Sequence, residues 1–177
     1  MISRLSAALL IASAALSGTL IADTTARLSY SLEDQFGVTH TQSECGPVVT
    51  LLLGGDRKGV EFVGDWGRAL HRAFARELSS GSVCSVGYAH LKGAPFFVRK
   101  KIVASFPKDP DAPTLLDWKG YIRKSWGGEN DAANLYVFDR EGRLALQLPL
   151  RAFDTEQFDR IVDAIASLLE NEFPTSD

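Results

Sequence analysis

Cys45 and Cys84, together with a glycine-framed loop reading Gly54-Gly55-Asp56-Arg57-Lys58-Gly59, are the places in this chain where residue type and spacing could do chemistry. A thiol pair can exchange disulfides, bind a metal or cross-link a fold, depending on how its sulfurs are exposed and ionised. Glycines between an apolar run and a helix can offer backbone N–H groups to an anion, here with Arg57 and Lys58 alongside. The loop is not a nucleotide-binding P-loop, because Val60 stands where that motif requires lysine. The simpler reading is an ordinary surface loop and two unpaired cysteines, with Cys84 buried as a small apolar group. His40, His71 and His90 fall in separate elements without metal-ligand spacing, so neither a metal nor a cofactor is expected. No Ser/His/Asp set or carboxylate pair stands out, so no residue is assigned a catalytic role. Trp66, Trp118 and Trp126 read as core aromatics or as parts of a shared apolar surface.

The elements that must position these residues follow from hydrophobic patterning. Val48 to Leu53 is a short apolar run ending at a glycine pair, which suits a central parallel strand buried on both faces. Trp66, Leu70, Phe74 and Leu78 recur every fourth residue, so one face of a helix over Gly67 to Leu78 can press on that strand. After Ser79-Ser80-Gly81-Ser82, Val83 to Ala89 reads as a second strand, completing a right-handed βαβ unit with parallel strands. In that sheet Cys45 and Cys84 lie near the starting ends of adjacent strands, at the edge opposite the Gly54–Gly59 loop. A Cys45–Cys84 bond there would close a loop of about 40 residues and stabilise by a few kcal/mol.

Around this unit, Arg27 to Gln42 alternates about an Asp/Gly-containing turn and predicts an N-terminal hairpin. Pro95 opens a second helix whose buried stripe is expected to be Phe96 or Phe97 with Val98, Ile102, Val103 and Phe106. Thr114 to Asp117 reads as a short strand and Tyr121 to Trp126 as a helical turn stopped by Gly127-Gly128. Asn134 to Phe138 and Leu144 to Leu148 flank Asp139-Arg140-Glu141-Gly142, a hairpin connection with glycine where a left-handed conformation is usual. A final helix begins at Asp154 or Thr155 and carries Phe158, Ile161, Val162, Ile165, Leu168 and Leu169 at spacings of three and four.

The chain has 177 residues, enough for one domain with a sizeable core. Its net charge of −3, with acids and bases intermixed, gives no electrostatic case for nucleic acid or anionic lipid. The Arg99-Lys100-Lys101 cluster reads as the solvated face of a helix. Residues 1–22 resemble an export signal, with Arg4 before an Ala/Leu/Ile-rich run, and cleavage is expected after Ala22 or Ala26. An uncleaved anchor is the alternative, and the only expected route to the membrane. The domain is placed at 27–172, with a tail at 173–177. Two cysteines in an exported chain favour a structural disulfide on compartment grounds.

The order hairpin, β, α, β, α, β, turn, β-hairpin, helix enters a pattern of known motifs. With the stretches Leu115-Leu116-Asp117-Trp118-Lys119-Gly120, Lys124-Ser125-Trp126-Gly127 and Tyr136 to Leu144, the chain resembles the thioredoxin-like superfamily, in its redoxin and peroxiredoxin-like branch. The resemblance implies a three-layer α/β sandwich, a central mixed sheet with helices on both faces. Family enzymes carry a nucleophilic cysteine in the loop and first helical turn after the central strand, where the helix dipole lowers its pKa. The matching positions here are Asp56 to Phe62, and none is a thiol. Where the family commonly places a cis-proline, this chain has Asp131-Ala132-Ala133-Asn134. The resemblance thus implies an exported, periplasmic protein with a degenerate active site, in a binding or structural role with another envelope protein as the expected partner. The alternative is unconventional thiol-disulfide oxidoreductase or peroxiredoxin-like activity through Cys45 or Cys84.

Overall fold

A computed structural model describes residues 27–170. The expected signal segment, its cleavage positions and the 173–177 tail lie outside the described residues. In chain order the elements are β1 (Ser31–Glu33), β2 (Thr39–Thr41), β3 (Val49–Gly55), α1 (Val60–Ala73), α2 (Ala75–Ser80), β4 (Val83–His90), α3 (Arg99–Ala104), β5 (Thr114–Asp117), α4 (Tyr121–Trp126), β6 (Ala133–Phe138), β7 (Leu144–Leu150) and α5 (Thr155–Glu170). Strands β1 and β2 pair antiparallel as a separate hairpin, and the main sheet runs β5-β4-β3-β6-β7. Its β3, β4 and β5 are parallel, whereas β6 and β7 run antiparallel.

Alternation along β3 divides the core into two layers. Val49, Leu51 and Leu53 face Trp66 and Leu70 of α1 and Ile161 and Ile165 of α5. Leu52 faces the other way, toward Tyr88, Leu115, Ile122, Trp126, Tyr136 and Phe138, with Tyr30 covering that side. Trp66 and Trp126 therefore belong to opposite faces of the sheet, and Trp118 is only half-buried, so the three tryptophans form no shared surface. The buried Trp66 indole donates to the Arg151 carbonyl at 2.7 Å, tying α1 to the approach to α5. Helix α5 starts as read: the Asp154 carboxylate accepts from Gln157 N at 2.7 Å.

Three boundaries differ from the expectation. Gly54 and Gly55 belong to β3, where they stand opposite Tyr88 and Ala89 on one side and Asn134 and Ala133 on the other, so the candidate loop shortens to Asp56–Gly59. The helix expected over Gly67 to Leu78 begins at Val60 and breaks at Phe74, whose backbone leaves the helical region at φ −111° and ψ 27°. The arm before β5 is not amphipathic in the expected sense: Phe96 and Phe97 are each 83% exposed, and none of α3 is buried. Three prolines and a short span leave that arm too little helix to bring its whole apolar set onto the sheet.

Candidate functional site

The centre of the candidate site is Asp56, the first residue after β3. Its Oδ1 accepts hydrogen bonds from Lys58 N at 3.2 Å and Gly59 N at 2.9 Å. Its Oδ2 accepts from Asp131 N at 3.1 Å and from Arg123 Nη2 at 3.0 Å. The Arg123 side chain, only 11% exposed, comes from α4 and also donates to Asn130 Oδ1 at 2.6 Å. Partial burial works to raise the Asp56 pKa, but the N–H groups of Gly59 and Asp131 and the Arg123 guanidinium outweigh it and hold it at about 2.

The loop before β6 closes over this carboxylate. Lys58 Nζ reaches Asp131 Oδ2 at 3.0 Å, and Asp131 adopts a left-handed φ of 56°. Behind it the fully buried Asn134 accepts from Glu129 N at 2.8 Å and donates to the carbonyls of Glu129 and Ala132, while Tyr136 donates to the Gly127 carbonyl at 2.6 Å. Glycine is required at the contact between the two loops: a Cβ on Gly59 would lie 2.0 Å from the Ala132 carbonyl oxygen. Gly54 is equally constrained, its Cβ position lying 2.0 Å from the Tyr88 carbonyl oxygen. The glycines of the candidate loop thus serve close backbone approach, and two of the N–H groups that an anion would use already bond to Asp56.

Beside this cage, at the carboxyl ends of the parallel strands, is a cavity of about 880 Å³ whose lining includes Asp56, Arg57, Val60, His90, Lys92 and Ile102. His90 Nδ1 stands 3.8 Å from Asp117 Oδ2. Asp117 is fully buried and accepts from Tyr121 N at 2.8 Å and Ile122 N at 3.0 Å, so it anchors the start of α4, the helix that delivers Arg123. Burial pushes the Asp117 pKa up, but His90 and those two N–H groups bring it below the ordinary carboxylate value.

Cys45 and Cys84 are joined as a disulfide, with Cα atoms 5.6 Å apart. The bond is half-exposed at the starting edge of β3 and β4, opposite Asp56, and borders a second cavity of about 400 Å³ with Tyr30, His40, His71 and Ser85. His40 bridges Asp34 Oδ2 at 2.9 Å and Glu44 Oε2 at 2.8 Å. The Asp34 hydrogen bond leads burial and the Glu44 contact in setting its pKa, and the net effect is upward. The three histidines stay apart, and among the described residues no group of three His, Cys, Asp or Glu side chains could hold a metal ion.

Sequence reading placed Asp56, Arg57, Lys58 and Gly59 at the right end of the right strand. It missed Arg123, Asn134 and the Asp131 backbone as their partners. An Asp three residues before the glycine that leads into a helix was an available cue for the turn, since such a side chain captures nearby N–H groups. Nothing local in sequence signals Arg123, which arrives from 67 residues away.

No family model and no curated protein matches the chain. Solved structures do. A secreted thiol-disulfide isomerase from Corynebacterium glutamicum aligns with TM-score 0.56 and 15% identity, covering 81% of this chain and 85% of that one. The exposed lipoprotein thioredoxin Etrx1 from Streptococcus pneumoniae aligns with TM-score 0.55 and 16% identity, covering 81% of this chain and 98% of that one. Sheet order, hairpin and helix placement agree with that company, and the chain has the thioredoxin-like fold.

Proposed function

We propose that this chain is an exported thioredoxin-fold protein of the bacterial envelope that binds a partner and does not exchange disulfides at the fold's usual site. The observation that carries the reading is Asp56. Where family enzymes present a thiolate to the N-terminus of the first helix, this chain presents a carboxylate bonded to Gly59 N, Asp131 N and Arg123. A carboxylate cannot form a mixed disulfide, and this one is already saturated with donors. Export is supported by the character of residues 1–22 and by structural neighbours described as secreted or exposed. Binding is supported by the cavity beside Asp56, at the strand ends where open α/β sheets take ligands.

Insulin reduction with dithiothreitol tests the first half. Wild type and a C45S/C84S variant should both run at the uncatalysed rate. Turnover by wild type that disappears in C45S/C84S would replace this reading with the thiol-dependent one, which the half-exposed Cys45–Cys84 bond beside His40 and His71 favours. For the second half, a photo-crosslinking residue at Val60, 55% exposed at the cavity mouth, should give a discrete adduct in envelope extracts. The same probe at exposed Arg76 in α2 should not, and equal labelling at both positions would remove the assignment of this face.

A further inference from the structure

Between β4 and β5 the chain carries Lys92, Arg99, Lys100, Lys101 and Lys108 with no carboxylate among the intervening residues. On the same arm Pro95 leads a tight turn, Phe96–Val98, that projects Phe96 and Phe97 into solvent, each 83% exposed. The arm's inward contacts are made by other side chains, since Val98, Ile102 and Phe106 face the cavity beside Asp56. Arg99 lies over the half-buried Trp118 ring at 4.9 Å and reaches the Phe96 ring at 6.0 Å, so a cation is held at the root of the phenylalanine pair. Lys100 and Lys101 are exposed, and among the described residues no ion pair engages Arg99, Lys100 or Lys101.

Two adjacent aromatic tips ringed by cations, with a tryptophan at their base, have the composition of an interfacial anchor. We propose that this arm docks the protein on an anionic lipid surface, with Phe96 and Phe97 entering the boundary between headgroups and acyl chains and Arg99, Lys100 and Lys101 contacting lipid phosphates. An acidic protein would meet the same charges, but it would have to bring a cavity shaped for two projecting rings, whereas a bilayer accommodates them without one. Contact is peripheral: among the described residues no helix is long and apolar enough to cross a membrane. The net charge of −3 points away from lipid only because it averages this arm with the acidic remainder. None of these residues is part of the Asp56 cage, so the surface stands or falls apart from the function proposed above.

Co-sedimentation of the full chain with vesicles of phosphatidylcholine alone, and of equal parts phosphatidylcholine and phosphatidylglycerol, tests the assignment. Residues 1–22 are common to every variant and contribute equally to each. Wild type should prefer the anionic vesicles, and the preference should fall with salt. The R99S/K100S/K101S variant should lose affinity by on the order of a hundredfold, because each such cation near an anionic surface contributes ~1 kcal/mol. F96S/F97S should lose at least about tenfold, since two partly inserted rings forfeit apolar burial. All the altered side chains are exposed, so both variants should keep the wild-type unfolding midpoint. Equal binding to both vesicle types, unchanged binding by either variant, or retention on immobilised polyglutamate without vesicle binding would each overturn the proposal, the last in favour of an acidic protein partner.

Discussion

Removing the Asp56 carboxylate should cost stability out of proportion to its partial exposure. In D56A, Gly59 N, Asp131 N and Lys58 N lose their acceptor, and the Arg123 guanidinium, 11% exposed, loses its carboxylate. Deleting one partner of a largely buried pair costs about 3 to 5 kcal/mol, and the 19% exposure of Asp56 places the expected loss near the lower end, about 3 kcal/mol. The charge alone can be sized separately. A pKa drawn from 3.8 to about 2, at about 1.4 kcal/mol per unit, corresponds to about 2 kcal/mol, which is the loss expected for D56N at neutral pH. The sign follows from the depressed pKa: this stability is present above the unfolded-state value near 3.8 and disappears as pH falls through about 2. Urea unfolding followed by tryptophan fluorescence, at neutral pH and stepwise down to pH about 2, reads both quantities. The gap between wild type and D56N should close across that acidic window. D56L/R123M, which removes both charges, should lose less than D56A. A D56A loss below about 1 kcal/mol, or a D56N gap independent of pH, would refute the view that this carboxylate closes the site.

G59A should destabilise by several kcal/mol, because its Cβ would meet the Ala132 carbonyl at 2.0 Å, whereas G64A in α1, whose nearest contact is the flexible Arg68 at 3.4 Å, should gain up to about 1 kcal/mol; urea midpoints separate them. His40, with its pKa raised by Asp34 and Glu44, contributes stability that is full below its unfolded value of 6.5 and is lost as pH rises through the raised folded value. H40Q should therefore lower the melting temperature more at pH about 6 than at pH about 9, and an equal shift at both would remove the ion pair from the account.

What was legible in the sequence divides along the range of the interactions. Periodicity found β3, α5 and the β6–β7 hairpin because each is dictated by the side chains of its own few residues against one core. It failed at Phe96 and Phe97, which a helical repeat assigned to the interior and which the fold leaves 83% exposed, because burial depends on whether a facing surface exists and periodicity reports only spacing. It also misread the purpose of Gly54, Gly55 and Gly59. Three glycines near Arg57 and Lys58 suggest an anion cradle, yet what requires them is the approach of the Tyr88 and Ala132 backbones, brought in from other parts of the chain. The position of Asp56 was readable, and its partners were not, since Arg123 and Asp131 reach it only after β4, β5 and α4 have been placed.

The charge balance at the carboxyl end of the sheet ties these pieces together. Asp56 is matched by Arg123 and Asp131 by Lys58, so the acidic side chains there are neutralised within the fold. Arg57 and Lys92, on the border of the same cavity, have no ion pair among the described residues, and the basic arm from Lys92 to Lys108 continues from that border. The thioredoxin-like scaffold concentrates partial positive charge at the first helix N-terminus, which in an enzyme sharpens a thiolate. In this chain a built-in carboxylate quenches that charge, and the remaining positive potential is displaced outward onto mobile lysine and arginine side chains. A face organised this way repels cationic surfaces and attracts anionic ones at long range without presenting a nucleophile, which is what recognition needs and thiol exchange does not.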